Sequence, residues 1–160
     1  MEIKIKLANI ENVKNVQRLS QELIELEDKI CKEKYTISLD WSLSEHGKEY
    51  FENHIKNKHI YLAEYDKKIV GYICFYILEQ EKYETVKQMK VENLIIQKDY
   101  RRLGIGKALM NKAFEICKEN GVNCITLTSI SDNIDARLFY NSLGFKSYNT
   151  EYQLSKDENE

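Results

Sequence analysis

The chain of 160 residues predicts an α/β domain around one mixed sheet, with elements in the order β-α-α-β-β-β-α-β-α-β. Two observations carry that expectation. Apolar residues recur at three- and four-residue steps in some stretches and alternate with a period of two in others, and the two kinds of stretch interleave along the chain. The chain also has no proline, no Gly/Ser-rich linker and no repeated block, so residues 1–154 read as one domain, with Ser155 to Glu160 as a polar tail.

Taken in order, Glu2 to Leu7 alternates charged and apolar residues and reads as a first strand. Val13, Val16, Leu19, Leu23, Leu26 and Ile30 then mark one face of a long helix. Cys31 to Leu43, with Tyr35 and Trp41, shows no clear period and reads as a loop into a second helix, around Glu45 to Lys56. From His59 the period is two up to a tight turn at Asp66-Lys67-Lys68, which implies a hairpin. Ile69 to Leu78 is apolar on both faces, as in a central strand, and Lys87 to Gln97 supplies another. Ile105, Leu109, Ala113 and Ile116 restore helical spacing, and Asn120-Gly121 stops it. A short strand at Asn123 to Thr128 follows. Ser131 and Asp132 are N-cap types ahead of a last helix through Leu143, stopped by Gly144, and Phe145 to Leu154 reads as a final strand.

Composition narrows the function classes. Lys plus Arg number 24 against 26 for Asp plus Glu, a formal charge of -2, which disfavours nucleic-acid binding driven by overall charge. The longest clean apolar run, Ile69 to Leu78, is ten residues, whereas a spanning helix needs about 20. With no signal-like stretch at the N-terminus, the expectation is a cytoplasmic protein without membrane partners. The 4 cysteines include no CxxC pair and read as reduced thiols. His46, His54 and His59 lack the i, i+4 spacing of a helical zinc pair, so no metal is expected and the three read as surface or edge residues.

Chemistry concentrates at Gln97 to Lys107, where a strand runs through a basic, glycine-bearing turn into a helix. Free N–H groups at a helix N-terminus, the helix dipole and a glycine without Cβ together suit a phosphate, and Arg101, Arg102 and Lys107 add positive charge. A plain strand-to-helix turn packed through its glycines is the other reading. A Walker-type loop is excluded, because Arg101 stands five residues before Gly106 and Ala108 follows Lys107. The dinucleotide fingerprint fails at Leu109, where the third glycine belongs.

What remains is RxxGxG, and here the chain resembles the GCN5-related N-acetyltransferase superfamily over nearly its whole length. Glu92 to Ile96 followed by Arg101-Arg102-Leu103-Gly104-Ile105-Gly106-Lys107 is similar to the family's fourth strand and pyrophosphate loop. Asn133 to Phe145 is similar to its second coenzyme-contacting helix. Many members carry proline where Lys98 stands and glycine where Arg102 stands; neither departure removes a required backbone group. The resemblance implies acetyl-coenzyme A as cosubstrate, acetyl transfer to a primary amine, and a plausible homodimer.

It also implies roles. Backbone groups of Leu94, Ile95 and Ile96 pair with pantetheine and hold the thioester oxygen, and residues Arg101 to Lys107 hold the pyrophosphate. An alkylammonium has a pKa of about 10.4 and must lose a proton before attack, which Glu92 accepts directly or through water. An alternation through this strand puts Glu92, Leu94 and Ile96 on one face. Asn133, Ala136 and Tyr140 fall on one helical stripe, with Tyr140 donating to the departing thiolate. The other readings are a salt-bridged strand residue for Glu92 and a buried tyrosine bound to backbone for Tyr140. A catalytically silent coenzyme-A-binding module and a protein-interaction domain using the acidic helix Glu11 to Lys32 are the rival functions. The acceptor, an amine-bearing small molecule or a protein amine, is expected near Cys31 to Phe51 and Glu79 to Glu84.

Overall fold

Five strands, Ile3–Leu7 (β1), Ile60–Tyr65 (β2), Lys68–Glu79 (β3), Lys87–Ile96 (β4) and Cys124–Leu127 (β5), pair in the order β1-β2-β3-β4-β5. The computed structural model describes residues 2–31, 37–84 and 87–154. The first four strands are antiparallel and β5 joins β4 in parallel, which makes the sheet mixed. The helices are Val13–Ile30 (α1), Glu45–Lys56 (α2), Ile105–Asn120 (α3) and Ile134–Ser142 (α4). Tyr35 and the tail 155–160 lie outside the described residues.

Local chemistry accounts for the turns. Asp66 and Lys67 take φ of 49° and 62°, the doubly positive geometry that lets a two-residue hairpin follow strand twist. Gly121, at φ 64°, closes α3 as a left-handed C-cap, with its N–H on the last carbonyls of the helix. Asn9 and Asn12 form a reciprocal capping box ahead of α1.

Two cores result. Val70, Ile73, Phe75, Met89 and Val91 face Ile105, Leu109, Met110 and Ala113 of α3 on one side of the sheet. On the other, Ile60, Leu62, Tyr72, Cys74 and Ile95 meet Val16 and Leu19 of α1 and Phe51 and Ile55 of α2. Trp41 joins the second core, its ring 5.2 Å from that of Tyr50. No disulfide involves the four cysteines; Cys74 and Cys117 are buried and Cys31 and Cys124 half-buried. No described helix is long and apolar enough to cross a membrane.

Two features of β4 position the site. Only Gln88–Val91 pairs with β5, so from Glu92 to Ile96 the strand is paired on its β3 side alone among the described residues. A bulge also interrupts the β3 ladder, where Cys74 pairs Asn93 and Phe75 pairs Val91, leaving Glu92 as the extra residue. The expected alternation is therefore corrected. The bulge turns Glu92 to the α1–α2 side with Tyr76, while Leu94 and Ile96 pack toward α3.

Two expectations about the C-terminal third are also corrected. Asn133, not Ser131 or Asp132, caps α4, its Oδ1 accepting from Ala136 N at 3.2 Å. Phe145 to Leu154 forms no strand: Tyr148, Tyr152 and Leu154 are 80%, 91% and 83% exposed. Phe145 N returns to Tyr140 O and the ring packs against the core. The alternation of Tyr148, Thr150, Tyr152 and Leu154 meets a strand's pattern, but these side chains cover no core and local alternation alone does not make a strand.

Candidate active site

Where β4 parts from β5, the strand's free edge, the N-terminus of α3 and one face of α4 enclose a cavity of about 330 Å³. Of the residues singled out from the sequence, Leu94, Ile95, Ile96, Arg101, Arg102, Gly104, Ile105, Gly106, Lys107, Asn133, Ala136 and Tyr140 line it. Leu103 does not; its side chain belongs to the exposed turn. Glu92 is also absent from the lining, because the bulge aims it elsewhere. Sequence reasoning missed Leu23 and Leu26 of α1, whose place on an apolar stripe marks them as ordinary core, and Phe139 and Tyr100.

One end of the cavity has backbone chemistry that suits an anion. Gly104 takes φ 83° as the N-cap of α3 and, as a glycine, brings no capping side chain to this helix end. The first-turn amides of Ile105, Gly106 and Lys107 are those an α-helix leaves without intrahelical carbonyl partners. They carry the positive end of the dipole. A Cβ on Gly106 would lie 3.2 Å from Phe139 Cζ and 3.3 Å from Ile96 Cδ1, so glycine lets α3, α4 and β4 close together. Arg101 Nε donates to Ile96 O at 2.9 Å, tying the loop to the strand end. Arg102, at φ 64°, adopts the left-handed backbone that glycine adopts more readily. Its Nη2 lies 3.9 Å from Asp135 Oδ1, an exposed pair worth little.

Tyr140 lies half-buried between Phe139 and Phe145, with ring centroids 5.5 and 5.9 Å away. Burial first, and then the Glu27 carboxylate, push its hydroxyl up to about 12, so it keeps its proton at neutral pH. Asn133 spends its Oδ1 on the helix cap, which leaves its Nδ2 as the donor for a ligand.

Glu92 sits across the strand in a second group of polar side chains. Tyr76 Oη donates to Glu92 Oε1 at 2.6 Å, and Lys90 Nζ stands 3.5 Å from the same oxygen. Burial, then the bond to Glu92, push the Tyr76 hydroxyl up to about 12. Behind Tyr76, His54 and His59, half-buried at the end of α2 and just before β2, bring Nδ1 to Nδ1 at 2.9 Å, a contact that the reading of them as surface or edge residues did not include. Among the described residues, no three His, Cys, Asp or Glu side chains are placed to hold a metal ion.

The comparisons agree with this architecture. The sequence model of the acetyltransferase (GNAT) family matches residues 21–145. The uncharacterised protein YxbD of Bacillus subtilis is 37% identical over 81 residues, 51% of this chain and 45% of that protein. An uncharacterised N-acetyltransferase of Methanocaldococcus jannaschii is 34% identical over 89 residues, 54% of this chain and 38% of that protein. This chain thus spans about half the length of these curated relatives or less. Among solved structures, the PaiA N-acetyltransferase of Thermoplasma acidophilum, in complex with coenzyme A, superposes with a TM-score of 0.78 at 24% identity, over 94% of each chain. A mutant BH1408 protein of Bacillus halodurans gives 0.83 at 19% identity, over 96% of this chain and 99% of that one. These likenesses speak to the fold. With the family model covering residues 21–145 and the fold matching from end to end, the chain belongs to the acetyltransferase (GNAT) family.

Proposed function

We propose that the protein moves an acetyl group from acetyl-coenzyme A to a primary amine by direct attack. One observation carries the reading: a stretch of β4 edge left unpaired among the described residues and a glycine-started helix N-terminus open into one cavity. The edge suits the amides of an extended pantetheine arm, and the amides of Ile105 to Lys107 suit a pyrophosphate. Arg101, Arg102 and Lys107 add charge at the same end.

In this reading Glu92 takes a proton from the incoming ammonium, directly or through water, and Tyr140 gives one to the leaving thiolate. Backbone groups of Leu94, Ile95 and Ile96 hold the thioester. A solved aminoglycoside acetyltransferase from a soil metagenome, in complex with sisomicin, has a TM-score of 0.68 and 19% identity, over 97% of each chain, so amine-bearing small molecules are reasonable first acceptors. Protein amines are the second class to try. Residues 1–154 act as one domain, and a homodimer is the assembly that the family resemblance makes plausible.

The test is thiol release from acetyl-coenzyme A with spermidine, kanamycin and a lysine-containing peptide as acceptors. The reading predicts release that needs both protein and one of these amine types and falls in Tyr140→Phe and Glu92→Gln. Tight coenzyme binding with no release for any amine would point to a silent coenzyme-binding module instead.

A further inference from the structure

The second polar group extends from β4 to the protein surface. His54 lies in the last turn of α2 and His59 one residue before β2. The backbone brings them together: His59 N donates to His54 O at 2.9 Å, and Lys58 closes the turn at φ 59°. His59 O accepts from Phe75 N at 2.9 Å, which fixes the pair against β3. The rings of His54 and His59 lie 5.9 and 5.5 Å from that of Tyr76, whose hydroxyl holds Glu92. Tyr50 of α2 packs edge-on at 4.5 Å from His54.

Acetyl transfer to an ammonium leaves a proton over. The new N–C bond forms, the C–S bond breaks, and two N–H protons leave the nitrogen. One of them is balanced by the proton that Tyr140 gives to sulfur. The other must leave the site each turnover.

Two Nδ1 atoms 2.9 Å apart hold together when one carries a proton and the other offers a lone pair. One ring then has a bare Nε2 and the other an Nε2–H. A proton arriving at the bare Nε2 lets Nδ1–H pass to the second ring, whose own Nε2 proton departs; one enters, one leaves, and no ring stays charged, but the two tautomers are now exchanged, so both rings must trade their protons back through solvent water before the next turnover. Burial lowers both imidazoles, His59 adding to the effect on His54 and Glu92 opposing it, so the pair rests neutral at neutral pH. The other groups nearby are Tyr50 on α2, Cys74 and Tyr76 on β3, and Lys90 on β4. Burial pushes Tyr50, Cys74 and Tyr76 up, so they keep their protons there.

We propose that His54 and His59 form a two-ring proton wire that takes the proton collected at Glu92, handed over through water, to solvent at the turn between α2 and β2. Tyr76 is the positioning residue that holds the carboxylate beside them. The inference rests on the acetyl-transfer reading above.

Side-chain ¹⁵N NMR of the full chain tests the wire first, since it needs no coenzyme. The wire predicts one Nδ1–H and one Nε2–H tautomer at pH 7.5; two Nε2–H rings would overturn it. Kinetics test its use, with whichever of the three panel amines is turned over. His54→Gln and His59→Gln should each lose about tenfold in kcat in dilute buffer, keep KM for acetyl-coenzyme A within about twofold, and recover with added imidazole. A loss that imidazole and buffer concentration leave unchanged would make the pair purely structural and overturn the proposal. Failure of acetyl-coenzyme A to bind would instead remove the acetyl-transfer reading, and the wire's role with it, whatever the tautomers.

Discussion

Tyr76 Oη and Glu92 Oε1 lie 2.6 Å apart on the face of the sheet opposite Leu94 and Ile96, because one extra residue in β4 turns Glu92 over. The carboxylate is thus held from one side, while the backbone of the following residues stays free along the cavity. A hydrogen bond to a charged group contributes about 1.5–3 kcal/mol. Tyr76→Phe should therefore lower kcat by about tenfold to a hundredfold and leave the Kd of acetyl-coenzyme A, read by isothermal titration, unchanged.

The two glycines of the turn should fail for different reasons. Nothing lies within 4 Å of a Cβ built on Gly104, so the cost of Gly104→Ala is its φ of 83°, about 1–2 kcal/mol in denaturant unfolding. At Gly106 the backbone is ordinary but Phe139 and Ile96 must yield a few tenths of an ångström. Gly106→Ala should narrow the cavity and weaken coenzyme binding more than it lowers stability.

Arg102 sets stability against binding. Its left-handed φ of 64° favours glycine, and its ion pair with Asp135 is too exposed to compensate. Arg102→Gly should raise unfolding free energy by up to about 1 kcal/mol, net of glycine's entropy. It should also weaken acetyl-coenzyme A binding and flatten its salt dependence, as loss of a cation near a phosphate would.

The histidine pair gives stability a pH signature. Burial holds both below the ordinary 6.5, so the unfolded chain binds more protons there than the folded one. Their contribution is complete above about pH 6.5 and is lost as pH falls through the lowered folded values. Between pH 7 and 5 the thermal midpoint should fall less in the double variant His54→Gln/His59→Gln than in the unchanged chain.

These residues also mark what the sequence could tell. Periodicity and turn residues placed the four helices and the five strands found, along with a sixth that does not form among the described residues, and Gly121 and Asp66-Lys67 marked element ends, because each signal is local. The cavity lining was legible through Gly104, Gly106 and the stripe Asn133, Ala136, Tyr140. The face of Glu92 was not, since a bulge is set by the pairing of two strands and leaves no mark in one. The contact of His54 with His59 depends on how the chain turns between helix and strand, which a count of five residues does not specify. Phe145 to Leu154 alternates like a strand, yet its alternate side chains stay exposed and find no core to cover.

The measurement that bears most directly on the account is the thermal midpoint with excess acetyl-coenzyme A, with ATP and NAD as comparisons. Ligand at about 100 times its Kd adds about 2.7 kcal/mol, several degrees for a domain of this size. The midpoint should rise with acetyl-coenzyme A alone, and less so in Gly104→Glu. An unmoved midpoint at saturating acetyl-coenzyme A, together with no heat of binding in isothermal titration, would contradict the account.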